Sequence, residues 1–349
     1  MIANLTAMQT AADKAGKRLR PHIKTHKSAE LAARQIQLGA NGVTVAKLAE
    51  AEAMAAAGIR DIFIANQITH PIKIIRLRSL HEEADICIGI DHPQQIQLLE
   101  SEFQDVLRPL RVRIEIDSGL KRCGVEPGPG LSRLARDVTS QSWLSLEGLF
   151  THAGQVYSAR STDELRRIAR HEGDLMAEAR DLLLKDSIPC PVISAGSTPA
   201  APYLIDHEAV TEIRPGNYIF NDGIQVALGV ASPGQCALFV LATVIAQPAS
   251  DRVIIDAGSK ALHIDRGAHA GSVLEGFGQP LYLPGKIVRL SEEHGVIQLD
   301  SPLEIELGRP VLILPNHACA VVNLYDVYHV IDRRMNISIL PVTARGMLT

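Results

Sequence analysis

The 349 residues hold only five cysteines, Cys87, Cys123, Cys190, Cys236 and Cys319, an odd and widely spaced set without a C-x-x-C pair. That excludes a disulfide framework and a zinc site built from cysteine alone, so a metal would need mixed ligands. Long apolar runs are missing as well: CALFVLATVIA from Cys236 stops short of the roughly 18–20 residues that span a bilayer. The N-terminal stretch has no apolar signal core and no small-residue cleavage site. It reads as a polar helix ending at Gly16, and the expected location is cytoplasmic, with no membrane partner. Nor is there a basic surplus. Lys and Arg number 35 against 39 Asp and Glu, a net charge of −4, which leaves nothing to neutralise the phosphates of a nucleic acid. What is present, 46% hydrophobic and 21% charged residues without repeats or low-complexity segments, is an ordinary globular composition in a chain too long for one small core.

Up to about residue 222, β-branched runs alternate with Ala/Leu/Arg-rich stretches of helical period. The strand candidates are LRPHIKT from Leu19, GVTVA from Gly42, DIFIAN from Asp61, DICIGI from Asp85, RVRIEID from Arg111, LSLEGLFTH from Leu144, PVISAG from Pro191 and EIRPGN from Glu212. Eight such units predict an α/β fold, a (β/α)8 TIM barrel over residues 1–222. A doubly wound sheet would need a G-x-G-x-x-G turn after its first strand, and RPHIKTHK stands there instead. Beyond that point FVLATVIAQP, RVIIDAGSKAL, PGKIVRLSEEHGVIQLD, GRPVLILPN and DVYHVI predict a β-rich C-terminal domain over residues 223–349.

In a barrel of this kind the chemistry sits at the C-terminal ends of the strands. The first strand ends in Pro21, His22, Ile23, Lys24, Thr25, His26 and Lys27. Period-two alternation puts either Lys24 or Ile23 toward the mouth. A lysine held there is costly unless it bonds covalently or gives up its charge, as a Schiff-base lysine does; otherwise Lys24 and Lys27 are solvated loop cations. The fifth strand closes on Asp117, Ser118, Gly119 and Arg122, and the sixth on Thr151 and His152. The seventh closes on Gly196, Ser197 and Thr198, and the eighth on Arg214, Gly216 and Asn217. Loops after the last two strands are the usual phosphate cradle of the fold. Lysine, phosphate cradle and a ring-stacking His in one mouth point to pyridoxal 5′-phosphate.

A second constellation lies in PNHACAVVN. His317 and Cys319 are two apart, so on a strand or extended loop they face one side and could share a divalent ion; a buried structural His and a buried free Cys are the alternative. His22 and His26 could support the lysine or lie exposed, Glu292, Glu293 and His294 could support a metal or form a solvated turn, and Cys123 reads as a buried small residue.

Taken in this order, these residues resemble the alanine-racemase-type pyridoxal-phosphate enzymes, and more closely their D-serine dehydratase and D-threonine aldolase branch. RPHIKTHK is similar to the branch's cofactor-lysine signature, which implies the Schiff base on Lys24. EIDSGLKRCG resembles the segment whose Arg, here Arg122, reaches the cofactor's phenolic oxygen, and FTHAG the one whose His, here His152, packs on the pyridine ring. GSTPA and RPGNY resemble the phosphate loops, implying Ser197, Thr198, Gly216 and Asn217; Tyr157 matches a cofactor-contacting Tyr. Arg214 stands where the racemases place an Arg against the pyridine nitrogen, which would weaken the electron sink and shift more of the work onto a metal. Asp256, Ser259 and Lys260 in DAGSKAL also match, without a physical role. The resemblance implies a homodimer, and a strand ahead of Met1 that would join the C-terminal sheet, so the chain is expected to be shortened at its N-terminus.

The His-x-Cys pair and THAGQVY resemble the dehydratases; the aldolases more often offer His and Asp. The resemblance implies a lyase on small D-β-hydroxy amino acids, with Lys24 as the Cα base and a metal on His317 and Cys319, zinc or alternatively manganese or magnesium, activating the β-hydroxyl. Dehydration of D-serine would give pyruvate and ammonia, and the alternative, retro-aldol cleavage of D-threonine, glycine and acetaldehyde. A racemase would need a second base on the opposite cofactor face, for which no motif stands out.

Overall fold

The computed structural model describes residues 1–267 and 274–349. All eight expected barrel strands form: β1 (Arg18–Leu19), β2 (Val43–Val45), β3 (Asp61–Ile64), β4 (Asp85–Ile90), β5 (Leu110–Ile116), β6 (Leu144–Thr151), β7 (Val192–Ala195) and β8 (Glu212–Ile213). They pair in parallel in the order β1-β8-β7-β6-β5-β4-β3-β2. The ring closes between its ends through backbone bonds from Asn41 N to Leu19 O (2.8 Å), Thr44 N to Pro21 O (2.8 Å) and Ile23 N to Thr44 O (2.9 Å).

Helix α1 (Ile2–Lys14) precedes the first strand, and α2 (Ala29–Gln37), α3 (Leu48–Ala56), α4 (Pro71–Glu83), α5 (Pro93–Phe103), α6 (Pro129–Thr139), α7 (Thr162–Lys185) and the short α8 (Ala201–Leu204) connect the rest. Three open with proline at the first helical position, where its missing N–H costs nothing. Imidazoles of His70 and His92 cap two of these by accepting from Ile72 N and Gln94 N. No helix among the described residues is long and apolar enough to cross a membrane.

The barrel interior is ionic at its floor. Arg113 is fully buried and pairs with Glu147 at 2.6 Å and Glu212 at 2.5 Å, while Arg20 joins Glu212 and Asp61, each at 2.9 Å. These charges meet inside the barrel; on β5 Arg113 alternates with Val112, Ile114 and Ile116, whose side chains pack on the other face into the aliphatic core. Buried charges persist only when paired, and here each is.

Two strand expectations need correction. The first strand is Arg18–Leu19, which takes in only Leu19 of LRPHIKT, and the segment from Pro21 to Lys27 is an isolated bridge and turns rather than strand. DAGSKAL ends not in strand but in the helical turn α10 (Ser259–Leu262), after α9 (Gly223–Ala227). The second domain is a six-stranded antiparallel sheet of β9 (Val240–Ala249), β10 (Arg252–Ile255), β11 (Gln279–Leu281), β12 (Gly285–Leu290), β13 (Gly295–Leu299) and β14 (Pro310–Leu314). Its order is β11-β14-β9-β10-β13-β12, over a core that includes Val244, Val253, Ile287, Ile297 and Ile313. A separate hairpin, β15 (Val327–Ile331) with β16 (Ile337–Pro341), leads the chain back to the barrel, where Ala344 N bonds Lys27 O at 2.8 Å and Ala49 N bonds Thr349 O at 3.0 Å. Strands β11 and β16 were not among the sequence expectations.

Candidate active site

A cavity of about 280 Å³ opens at the C-terminal ends of the barrel strands, against the second domain. His22, Lys24, Arg122, His152, Tyr157, Ser197, Thr198, Arg214, Gly216, Asn217, His317 and Cys319 all line it. Residues from five strand ends and one β-domain loop thus converge on a single space.

Lys24 reaches the cavity from the turn after β1. Ile23 is completely buried beneath it, which decides the alternation left open by the sequence in favour of Lys24. His22 lies beside it, its Nδ1 accepting from Lys24 N at 3.3 Å; burial, helped by the charges of Lys24 and Arg214, drives its pKa well below the ordinary value and keeps it neutral. The expectation of solvated neighbours fails. Lys27 is buried on Glu50 at 2.6 Å, and His26 is fully buried beside Gln35 with its pKa pulled down to about 4 by burial.

On the far wall Arg214 is buried, donating to Ser194 Oγ at 2.6 Å and to Thr151 O, its guanidinium 5.5 Å from the Phe150 ring centre. Burial lowers its pKa to about 10, so it stays charged at neutral pH. Arg122 sits half exposed at the rim, 3.9 Å from Glu115, a carboxylate that accepts from Gln67 and whose pKa burial raises. Cys123 also faces the cavity rather than being fully buried. Burial pushes the Tyr157 phenol up, keeping it protonated.

The loops after β7 and β8 form the opposite end. Thr198 Oγ1 accepts from Tyr218 N at 3.0 Å and ties the two loops together. Ser197 Oγ is buried without a protein partner of acceptable geometry. At Gly216 a Cβ would stand 2.9 Å from His22 O and 3.2 Å from Thr25 Oγ1, so only glycine keeps that backbone close. An orphaned hydroxyl and a glycine-lined concavity suit an anion such as a phosphate. Behind these loops are two carboxylates that sequence reasoning missed. Glu172 on α7 accepts from Gly196 N at 2.9 Å, and burial raises its pKa to about 7. Asp222, also buried, accepts from the Asn217 amide, from Gln225 N at 3.1 Å and from Ala318 N at 2.8 Å.

His317 and Cys319 are not on a strand. His317 is the extended residue preceding α11 (Ala318–Val322), and Cys319 lies in the first turn. Asp265 Oδ2 is 2.7 Å from His317 Nδ1, which fixes that nitrogen as the donor; burial alone would lower the His317 pKa, but Cys319 and Asp265 outweigh it and raise it well above the ordinary value, so a metal would take the place of the Nε2 proton. The bond holds Asp265 down at about 2. Burial alone would raise the Cys319 thiol, but the neighbouring His317 charge outweighs it and favours thiolate; Thr25 Oγ1 lies 3.1 Å away. An oriented imidazole with an acidified thiol is a borderline-soft donor pair that fits a divalent ion of the zinc type. Glu292, Glu293 and His294 form an exposed turn away from it. The one cluster of three possible ligands among the described residues is instead Asp91, Glu115 and Cys123.

Residues 1–222 match the family model "Alanine racemase, N-terminal domain", and residues 237–331 match that of a serine dehydratase domain. The chain is 33% identical to a D-threonine aldolase of Arthrobacter sp. over 99% of its own length and 89% of that protein. It is 34% identical to the D-threo-3-hydroxyaspartate dehydratase of Delftia sp. (strain HT23) over 94% of its length and 90% of that one. A structure of D-threo-3-hydroxyaspartate dehydratase, a mutant in the metal-free form, superposes with a TM-score of 0.90 at 33% identity, covering 97% of this chain and 93% of that one.

Proposed function

The chain belongs to the alanine-racemase-type pyridoxal-phosphate enzymes, as a D-β-hydroxy amino acid lyase, and from that premise we propose that it is a dehydratase whose cofactor and metal share the cavity described above. When bound, pyridoxal phosphate draws electron density from the substrate Cα, and the metal acts as a Lewis acid on the β-oxygen. Ser197, Thr198, Gly216 and Asn217 would hold the phosphate, Arg122, His152, Tyr157 and Arg214 the ring, and His317 with Cys319 the metal.

Lys24 serves as the general base that takes the Cα proton, since it stands at the cavity floor with neutral His22 beside it rather than a competing cation. Arg214, held by Ser194 and the Thr151 carbonyl, keeps a fixed positive charge at the cofactor wall.

The observation that carries the dehydratase reading is the arrangement around His317. Loss of the β-hydroxyl needs an electrophile at that oxygen, whereas retro-aldol cleavage needs a base there to remove its proton. Among the described residues lining the cavity the one carboxylate is Glu115, on β5 and engaged by Gln67 and Arg122. The metal pair thus has a Lewis-acid role without a free carboxylate base beside it. Similarity to a D-threonine aldolase along nearly the whole chain supports retro-aldol cleavage as the second reading. Product analysis separates them: D-serine should yield pyruvate and ammonia, while glycine and acetaldehyde from D-threonine as the main products would favour the aldolase.

A homodimer is part of the proposal. The hairpin turns Val327, Ile331, Ile337 and Ile339 to one exposed face, paired across the strands as Ile331 with Ile337 and His329 with Ile339. A contiguous apolar face on a two-stranded sheet calls for cover. Sedimentation of the purified protein as a monomer at micromolar concentration would contradict it.

A further inference from the structure

We propose that the ionic network at the barrel floor reaches into the active site through Ser194, a positioning residue that, anchored on Glu212, aims the Arg214 guanidinium at the ring nitrogen of the cofactor. This rests on the cofactor reading above, which places Arg214 at the ring, and adds what directs its charge.

In the parallel register Ser194 on β7 stands beside Glu212 on β8, so both side chains enter the barrel on one side. Arg214 lies two residues beyond Glu212, on the same side and one step nearer the cavity, which it lines. The three side chains are linked in order. Arg214 Nη1 is 2.6 Å from Ser194 Oγ, and Ser194 Oγ is 2.5 Å from Glu212 Oε1. All three residues are buried, Ser194 and Glu212 completely.

Their chemistry leaves the hydroxyl a single orientation. Burial alone would raise the Glu212 carboxyl, but Arg113 and Arg20 outweigh it and keep it ionised, so it can only accept. A guanidinium can only donate. Ser194 therefore donates its O–H to Glu212 and offers a lone pair to Arg214.

A neutral oxygen at this point does what a carboxylate would not. Among the described residues no carboxylate reaches ion-pair distance of Arg214, whose other acceptor is the Thr151 carbonyl. A carboxylate placed directly on it would cancel the charge the cavity sees and engage two of its N–H groups. Through the serine, Glu212 fixes the direction of the guanidinium while Arg113 and Arg20 neutralise the carboxylate at the floor.

The test titrates the full chain, freed of cofactor, with pyridoxal phosphate and with its carbocyclic analogue, in which C–H replaces the ring nitrogen, each followed by absorbance. Wild type should bind the cofactor about tenfold more tightly than the analogue, the gain of one charge-assisted hydrogen bond. Ser194→Ala, which leaves Glu212 its two arginines, should lose affinity for the cofactor but not for the analogue, so that the two bind alike. Ser194→Thr, which keeps a hydroxyl at that position, should recover the preference. No preference in wild type, its survival in Ser194→Ala, an equal loss for both ligands, or a Ser194→Thr as indifferent to the nitrogen as Ser194→Ala would overturn the proposal. Wild type that binds neither compound would instead strike the cofactor reading, and the proposal with it.

Discussion

Replacing Glu172 by glutamine should stabilise the protein near neutral pH and leave it unchanged in acid. The carboxylate is buried behind the phosphate loop, its Oε1 accepting from Gly196 N at 2.9 Å and its Oε2 lacking a partner of acceptable geometry. Burial raises its pKa from 4.5 to about 7. Below the unfolded value both states hold the proton, so stability is fully present there. As pH climbs from about 4.5 to about 7 the unfolded chain releases the proton first, so stability falls, and it levels off above the folded value. A displacement of that size corresponds to about 3 kcal/mol. Glutamine keeps an oxygen for Gly196 N–H and cannot ionise. Urea unfolding followed by circular dichroism at half-unit steps from pH 4.5 to 8 should show wild type losing on the order of 3 kcal/mol relative to Glu172→Gln. Parallel curves for the two proteins, or a difference largest in acid, would refute the reasoning.

Two further substitutions probe the frame of the site. Asp265→Asn removes the carboxylate that orients His317 and should weaken metal binding 10- to 100-fold, as loss of such an outer partner typically does; cobalt titration read by absorbance checks this, and an unchanged affinity would contradict the assigned tautomer. Asp222→Asn can no longer accept from Asn217, Gln225 and Ala318 together, which should cost about 1–3 kcal/mol and weaken phosphate and metal binding in parallel. Calorimetric unfolding with and without pyridoxal phosphate, and with and without zinc, measures it, and an effect confined to one of the two ligands would argue against Asp222 as a shared brace.

How much of this was legible beforehand follows from what periodicity can and cannot see. The eight strands were readable because each carries a short β-branched run bounded by helix or turn signals, and the residues at their ends fall where barrel geometry requires them. The turn from Pro21 to Lys27 was not, since HIKT alternates like a strand while Lys27 adopts a left-handed backbone with φ of 49° and terminates it. RVRIEI is readable as a strand, but that Glu147 and Glu212 neutralise its fully buried Arg113 inside the barrel is not. Pairing across 34 and 99 residues of sequence leaves no local trace. Glu172, Asp222 and Asp265 were invisible for the same reason: each does its work through one or two contacts with a distant loop. His317 and Cys319 were found by their spacing, but the reason they share a wall is a helix start rather than strand alternation.

The account stands most directly on one measurement: release of a 2-oxo acid from D-serine or a D-3-hydroxyaspartate by holoenzyme that has been chelated, dialysed and reloaded with zinc, with the cofactor absorbance recorded throughout. Product formation should vanish on chelation while the cofactor spectrum persists, and should return with zinc. Undiminished 2-oxo acid release from the metal-stripped enzyme, or glycine in its place after reloading, would contradict it.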